Sequence, residues 1–174
     1  MRKEVVLDPS EIAGAQPVAG EIRDTLLEPF ITATCVALGE MASTEVVVRA
    51  VYQKTVPHAL GDIAAVLELL SAREGFLVLS FPERTAAALA GRILAGVAEE
   101  VDADLIRDCV GEIANVVAGQ AKALLAGTPY RFAFSLPKVV VGGPEFRPKQ
   151  GQDCLVVAFN SDLGEFAMQL VLEL

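Results

Sequence analysis

Histidine occurs once among the 174 residues, cysteine three times, and aromatic side chains make up 6% of the chain. These scarcities exclude several kinds of chemistry. His58, in "VPHALG", has no serine or cysteine nucleophile beside it in sequence, so it reads as a loop residue before a strand rather than a catalytic base. Cys35, Cys109 and Cys154 are odd in number, far apart and without a CxxC pair, and one histidine adds little as a ligand. They read as buried free thiols, not as a zinc site or a disulfide framework. Long apolar runs are also missing. Glu, Asp, Arg or Lys interrupts every Val/Leu stretch before it reaches the roughly 18 residues of a spanning helix. The start "MRKEVVLDPSE" sets acids and a proline ahead of any adequate apolar segment, which does not describe a secretion signal. Basic residues are few, 14 Lys and Arg against 23 Asp and Glu, for a formal net charge of -9. Bulk electrostatics therefore repels phosphate backbones and anionic lipid. The expectation is a cytoplasmic protein that meets neither nucleic acid nor membrane.

Hydrophobic residues make up 53% of the chain, mostly Ala, Val and Leu, which excludes a largely disordered polypeptide. The length suits one compact domain. Residues 1–20 mix charge, proline and glycine without sustained periodicity and read as a tail or strand segment, leaving 21–174 as the domain.

Within it, "EPFITATCVALGEM" reads as a helix with Pro29 in its first turn, where the missing amide hydrogen costs little. Residues 21–27 leave open whether a kinked turn precedes it. "TEVVVRAVY" alternates as a strand, with Val46, Val48, Ala50 and Tyr52 on one face and Val47, Arg49 and Val51 on the other. "GDIAAVLELLS" and "GFLVLSF" form an antiparallel hairpin. "SFPERTAAALAGRILAG" shifts to a period of about 3.6, with Ser80 and Glu83 as a capping box and Gly96 as the stop. The longest helix runs from Asp102 or Asp104 to Ala126. "YRFAFSLP", "KVVVGG", "CLVVAFN" and "EFAMQLVLEL" then read as strands, the last two joined by "SDLG". Hairpins dominate and strands do not alternate regularly with helices. The fold class is therefore α+β, a largely antiparallel sheet with long helices packed on one face, in two pseudo-repeated halves.

The longest helix carries the informative pattern. At about 100° per residue, with Glu112 as zero, Asn115 falls near 300°, Asp108 near 320° and Gly119 near 340°, with Asp104 and Lys122 near 280°. Leu105, Ile106, Cys109, Val110, Ile113, Val116, Val117, Ala121, Leu124 and Leu125 fill the arc from about 20° to 220°. A narrow polar stripe thus edges a core helix. Glu112 and Asn115 are direct neighbours, with Asp108 one turn back. Gly119, at a cost of about 1 kcal/mol relative to alanine, suggests that something approaches closely there. The stripe supplies too few ligands for a metal and too short a reach for paired-carboxylate glycoside chemistry. On geometry alone it is either the solvated face of an amphipathic helix or a docking surface.

The pattern Asp-x3-Glu-x2-Asn-x3-Gly, met by Asp108, Glu112, Asn115 and Gly119, resembles the signature of the CheC/CheX family of chemotaxis phosphatases. "DLIRDCVGEIANVVAGQAKALL" resembles that family's motif helix almost throughout. "EPFITAT", "GFLVLSF" and "SLPKVVVGG" extend the likeness over most of residues 26–172. The resemblance implies a phosphatase for the aspartyl-phosphate of a CheY-like response-regulator receiver domain. It further implies that Asn115 orients the attacking water and that Glu112 pairs with the receiver's active-site lysine. Asp108 would cap or position the motif helix, and Gly119 would leave room for the partner's loop. The chain itself would need no metal or other cofactor, and Mg2+ would belong to the receiver. CheC-type members carry the motif twice. Here the matching stretch of the first helix reads Glu28, Pro29, Phe30, Ile31, so the single motif points to the CheX-type branch, whose members pair as homodimers. The contrasting expectation is a non-catalytic module that docks a receiver or scaffolds a chemotaxis or flagellar-motor assembly.

Overall fold

Alternating β-branched and apolar residues give this chain its strands, and three stretches with helical spacing give its helices. The computed structural model describes residues 12–55, 58–59, 61–143 and 145–174. The expected N-terminal tail or strand segment therefore falls largely outside the described residues. Of the remainder, Gln16 forms an isolated antiparallel bridge with Gln53.

The first helix, α1, runs Gly20–Ala42. It starts well before Pro29, and the turn ahead of the proline is π-helical over Arg23–Leu27. The physical reason is proline itself, which has no N–H and crowds the carbonyl four residues back. The Glu28 amide donates instead to the Arg23 carbonyl, five residues back, and the chain passes the proline without breaking. By length and composition α1 could cross a membrane, but half of its most apolar window is buried inside the protein. Leu27, Phe30, Ala33, Ala37 and Leu38 all lie at 1% exposure or less, the mark of a core helix.

Strand β1 (Val46–Lys54) follows, then β2 (His58–Ala59), β3 (Ile63–Leu70) and β4 (Gly75–Phe81). Helices α2 (Glu83–Ile93) and α3 (Ala103–Leu125) precede β5 (Ala133–Phe134), β6 (Lys138–Val141), β7 (Glu145–Phe146), β8 (Asp153–Ser161) and β9 (Gly164–Leu172). The main sheet has the order β1-β8-β9-β4-β3-β5, with β6 also on β3, and every pairing is antiparallel. β2 and β7 pair separately, which places His58 in a short strand opposite Phe146.

This order displays the repeat. Each half contributes a long helix, an outer strand and a hairpin: α1, β1, β3 and β4, then α3, β6, β8 and β9. The hairpins meet where β4 pairs with β9, and the outer strand of each half pairs with the hairpin of the other. The halves are therefore interlocked and share one core, to which α1, α2 and α3 all contribute.

Two local expectations change. β1 carries a bulge between Val48 and Ala50, so Arg49 has no partner on β8. An inserted residue reverses the alternation beyond it. Val46, Val48 and Val51 consequently pack with the helices, while Ala50 and Tyr52 pack on the opposite face. The Ser80–Glu83 capping box does not form either. Ser80 is held in β4 between Ala64 and Ala167. The Glu83 amide donates instead to Asp62 Oδ2 at 2.8 Å, a cap supplied from the preceding strand region.

A polar clasp closes the far end of the helical layer. Thr44 Oγ1 donates to Asp162 Oδ1, Arg92 lies 3.5 Å from Asp162 Oδ2, and the same guanidinium donates to the Ala42 carbonyl at the end of α1. The Thr44 hydrogen bond, aided by Arg92, holds the Asp162 carboxyl below its ordinary value of 3.8. A depressed folded-state value means that this contribution is present above the unfolded value and is lost as pH falls through the folded one. Thr44→Val is therefore expected to lower the melting temperature near neutrality and to flatten its decline at acid pH, as followed by circular dichroism. An unchanged acid limb would show that Asp162 contributes nothing to it.

Candidate functional site

The site helix α3 is built from its ends inward. Asp102 is the N-cap, its Oδ1 accepting the Leu105 amide at 2.9 Å, and Gly127, with φ of 78°, turns the chain just beyond the C-terminus. Cys109, Val110, Ile113, Val117, Ala121 and Leu125 are buried as the periodicity requires. Each large apolar member contributes about 2 kcal/mol of hydrophobic stabilisation. Gly111, Ala114 and Ala118 are buried too, carrying the apolar arc to about 260°. Leu124 departs from expectation, being 51% exposed at the end of the helix.

The predicted stripe is one continuous edge. Asp108, Glu112 and Gly119 are exposed and Asn115 is half-buried. From Asp108 to Gly119 the edge is about 16 Å long at 1.5 Å per residue. Among the described residues, no hydrogen bond or ion pair engages the side chains of Asp108, Glu112 or Asn115, in contrast to the neighbouring Asp104, which pairs with Arg107 at 2.6 Å. A carboxylate and an amide thus stand one helical turn apart with their hydrogen-bonding capacity unspent. An amide can donate to one group and accept from another at once, which suits it to hold a water molecule between two fixed points.

Gly111, which periodicity does not single out, is buried alongside this edge. It lies between Asp108 and Asn115 on the β6 side, where a Cβ would sit 3.4 Å from Val139 Cγ2 and 3.8 Å from Pro137 Cγ. Those are ordinary van der Waals distances, so β6 packs against the helix beside Asn115 without a steric demand for glycine. The signal was a second glycine within the helix, eight residues before Gly119. Gly119 differs, for a Cβ there would meet nothing within 4 Å. Internal packing does not account for that glycine.

The remaining reactive groups are muted. Burial, then the Asp108 carboxylate, pushes the Cys109 thiol up, and burial, then Glu28, does the same for Cys35. Cys154 is pushed up to about 12, chiefly by burial. None is a thiolate nucleophile near neutral pH. Among the described residues, no three His, Cys, Asp or Glu side chains gather as a metal site. In α1, the stretch matching the motif turns inward. Phe30 and Ile31 are 1% and 7% exposed, Phe30 stacks on Phe132 at 5.5 Å, and Glu28 faces Arg23 at 3.8 Å.

The architecture is shared with solved chemotaxis proteins. A putative chemotaxis protein from Desulfovibrio vulgaris Hildenborough is 28% identical, with a TM-score of 0.77 over 84% of this chain and 96% of the other. A chemotaxis protein CheX from Desulfovibrio desulfuricans is 27% identical, with a TM-score of 0.75 over 84% and 97%. A CheC-like superfamily protein from Shewanella sp. PV-4 is 26% identical, with a TM-score of 0.74 over 84% and 96%. No curated protein matches the chain in sequence. The interlocked sheet and its motif helix define a chemotaxis protein with the CheC-like fold. The family model for Chemotaxis phosphatase CheX matches residues 63–160, more than half of the chain. This chain belongs to the CheX family of chemotaxis phosphatases.

Proposed function

We propose that this protein hydrolyses the aspartyl-phosphate of a CheY-like response-regulator receiver domain, and that the α3 edge is the surface it inserts into the receiver. The observation that carries the reading is the unspent pair Glu112 and Asn115, one turn apart on a rigid helix whose opposite face is core. A solved relative supports it: the Borrelia burgdorferi CheX–CheY–BeF3–Mg2+ complex shares the fold, with a TM-score of 0.66 at 18% identity. In that complex the partner of CheX is CheY. Identity this low carries the fold, so the residue roles rest on the chemistry of the edge.

Acyl-phosphate hydrolysis needs an in-line water and compensation of charge on the transferring phosphoryl group. Asn115 accepts from and orients that water. Glu112 forms a charge-assisted bond to the receiver's lysine and fixes the docked orientation. Asp108 steadies the first turn of the edge, and Gly119 leaves clearance for a receiver loop. Mg2+ is held by the receiver. The proposed reaction and partner are those of a cytoplasmic protein. We further propose that two copies pair through the edge of β6, whose outer side carries no strand among the described residues; light scattering that gave a monomer at micromolar concentration would overturn this.

A fold by itself does not carry activity, so the reading rests on the site and not on the architecture, which the FliM middle domain of Vibrio alginolyticus shares at a TM-score of 0.54 and 13% identity. The decisive experiment mixes the protein with phosphorylated receivers and follows phosphate release. A shortened phosphate lifetime is expected. Binding that depends on phosphorylation but leaves the lifetime unchanged would establish the non-catalytic docking module instead.

Gly119 gives a separable prediction. Alanine there removes a helix-interior glycine without a clash, so Gly119→Ala is expected to stabilise the protein by about 0.5–1 kcal/mol in denaturant titration. The same methyl group occupies the clearance, and affinity for the phosphorylated receiver is expected to fall. Wild-type affinity in the stabilised variant would remove Gly119 from the docking surface.

A further inference from the structure

The α3 edge ends in a cleft of opposite charge. Beyond the C-terminus of α3, a recess of about 700 Å3 opens between the β3–β4 turn, the end of the helix and β5, with Leu70 and Phe132 among its walls and Arg73, Lys122 and Arg131 as its charged groups. The Lys122 ammonium lies 5.9 Å from the Phe134 ring centre, and the Arg73 guanidinium lies over Tyr130 at 5.4 Å while donating to the Glu173 carbonyl at 3.5 Å. None of the three takes part in the ion pairs present among the described residues. Glu74 and Glu173 line the groove on the far side of Arg73, so Lys122 and Arg131 are the inner cations of the recess. In a chain of net charge -9, an apolar-walled recess with three unpaired cations is an exception that charge balance does not require.

Lys122 belongs to both features. It lies near 280° on α3, beside Asn115 near 300°, and lines the recess seven residues further on, about 10 Å along the axis. A receiver of roughly 100 residues is on the order of 30 Å across, and a specific interface covers about 800 Å2 on each partner. A receiver centred on Asn115 therefore overlies Lys122 and the mouth of the recess. The edge is also polarised, with Asp108 and Glu112 towards one end and Lys122 towards the other. Glu112 and Lys122 stand about 15 Å apart along the helix, beyond the screening length of about 8 Å at physiological salt, so each end acts on its own part of the partner.

Resting on the receiver reading above, we propose that the Arg73–Lys122–Arg131 recess is a second anchoring site, taking an acidic segment of the receiver's surface beside its phosphorylated pocket. It gives an acidic protein a local route to an acidic partner and prevents the receiver from docking end for end along α3. Its contribution lies in encounter and orientation, not in the hydrolytic step.

The test is phosphate release from the phosphorylated receiver at several salt concentrations, with wild type, Lys122→Glu/Arg131→Glu and the milder Lys122→Gln/Arg131→Gln. Circular dichroism and melting curves check the fold of each. The charge-reversed protein is expected to lose about tenfold in kcat/KM at low salt with kcat unchanged, the neutral variant less, and the gap to wild type is expected to close as salt rises. Equal kcat/KM for wild type and the folded neutral and reversed variants at low salt overturns the anchoring site. So does a loss confined to kcat. Inorganic phosphate or ADP bound by wild type and lost in the variants, with kcat/KM unaltered, would assign the recess to a free anion and also overturns it. Asn115→Ala, assayed alongside, separates the two claims: activity retained there removes the receiver-phosphatase reading itself, whereas an inactive Asn115→Ala with indifferent charge variants removes only the recess.

Discussion

Asn115→Ala is expected to lower stimulated dephosphorylation of the receiver by about 100-fold or more while leaving the fold and the affinity for the phosphorylated receiver close to wild type. The magnitude follows from what the side chain is asked to do. Water is abundant, so its presence contributes little; its placement in line with the scissile bond is the entropic part of the barrier, and misplacing it by about 1 Å can cost about 100-fold. Alanine at 115 removes the only amide on the edge and costs the helix nothing, since alanine is the better helix former. Glu112→Ala should behave differently. It deletes a docking bond, so KM is expected to rise at least as much as kcat falls, whereas Asn115→Ala should act mainly on kcat. Phosphate release with receiver in excess, under multiple turnover, and then with phosphatase in excess, under single turnover, separates the two. Matching effects in both variants would show that the pair acts as one docking element, and undiminished release by Asn115→Ala would end the water-orienting role.

The site residues are legible in the sequence because they lie on one helix. Period, cap and stop are local properties: Asp102 caps α3, Gly127 turns the chain after it, and the apolar arc fixes which side is buried, so the relative positions of Asp108, Glu112, Asn115 and Gly119 follow from spacing alone. Period could not tell a solvated face from a docking edge; that distinction rested on family resemblance. The misses are non-local. Arg49 is bulged because β8 pairs around it, and the cap of α2 comes from Asp62, twenty-one residues before Glu83. Leu124 shares a helical angle with Ile106, which packs against the core, yet at the last turn only the Leu125 side of the helix is covered and Leu124 is 51% exposed. The recess is assembled from the β3–β4 turn, the end of α3 and β5, residues 70 to 133, and no window of sequence contains it.

The interlocked halves predict the second large effect. Phe81 on β4, Phe166 on β9 and Phe159 on β8 stack in a row across the seam, with ring centres 5.2 and 5.0 Å apart and interplanar angles of 21° and 17°. Phe81 is fully buried and Phe159 is 1% exposed. Phe81→Ala deletes the end of the row and leaves a void that the paired strands cannot close, so the expected loss is about 3–5 kcal/mol, a large fraction of the 5–15 kcal/mol typical of a domain. Because β1 is paired with the second half and β6 with the first, neither half has its complete set of strand partners alone. The loss should therefore appear as a shift of one cooperative transition, seen equally by circular dichroism and by tyrosine fluorescence in a guanidinium titration. Two separated transitions would mean that the halves unfold independently and that the seam does not couple them. A loss below about 1 kcal/mol would mean that the surrounding side chains repack into the space, removing the aromatic row as a determinant of stability.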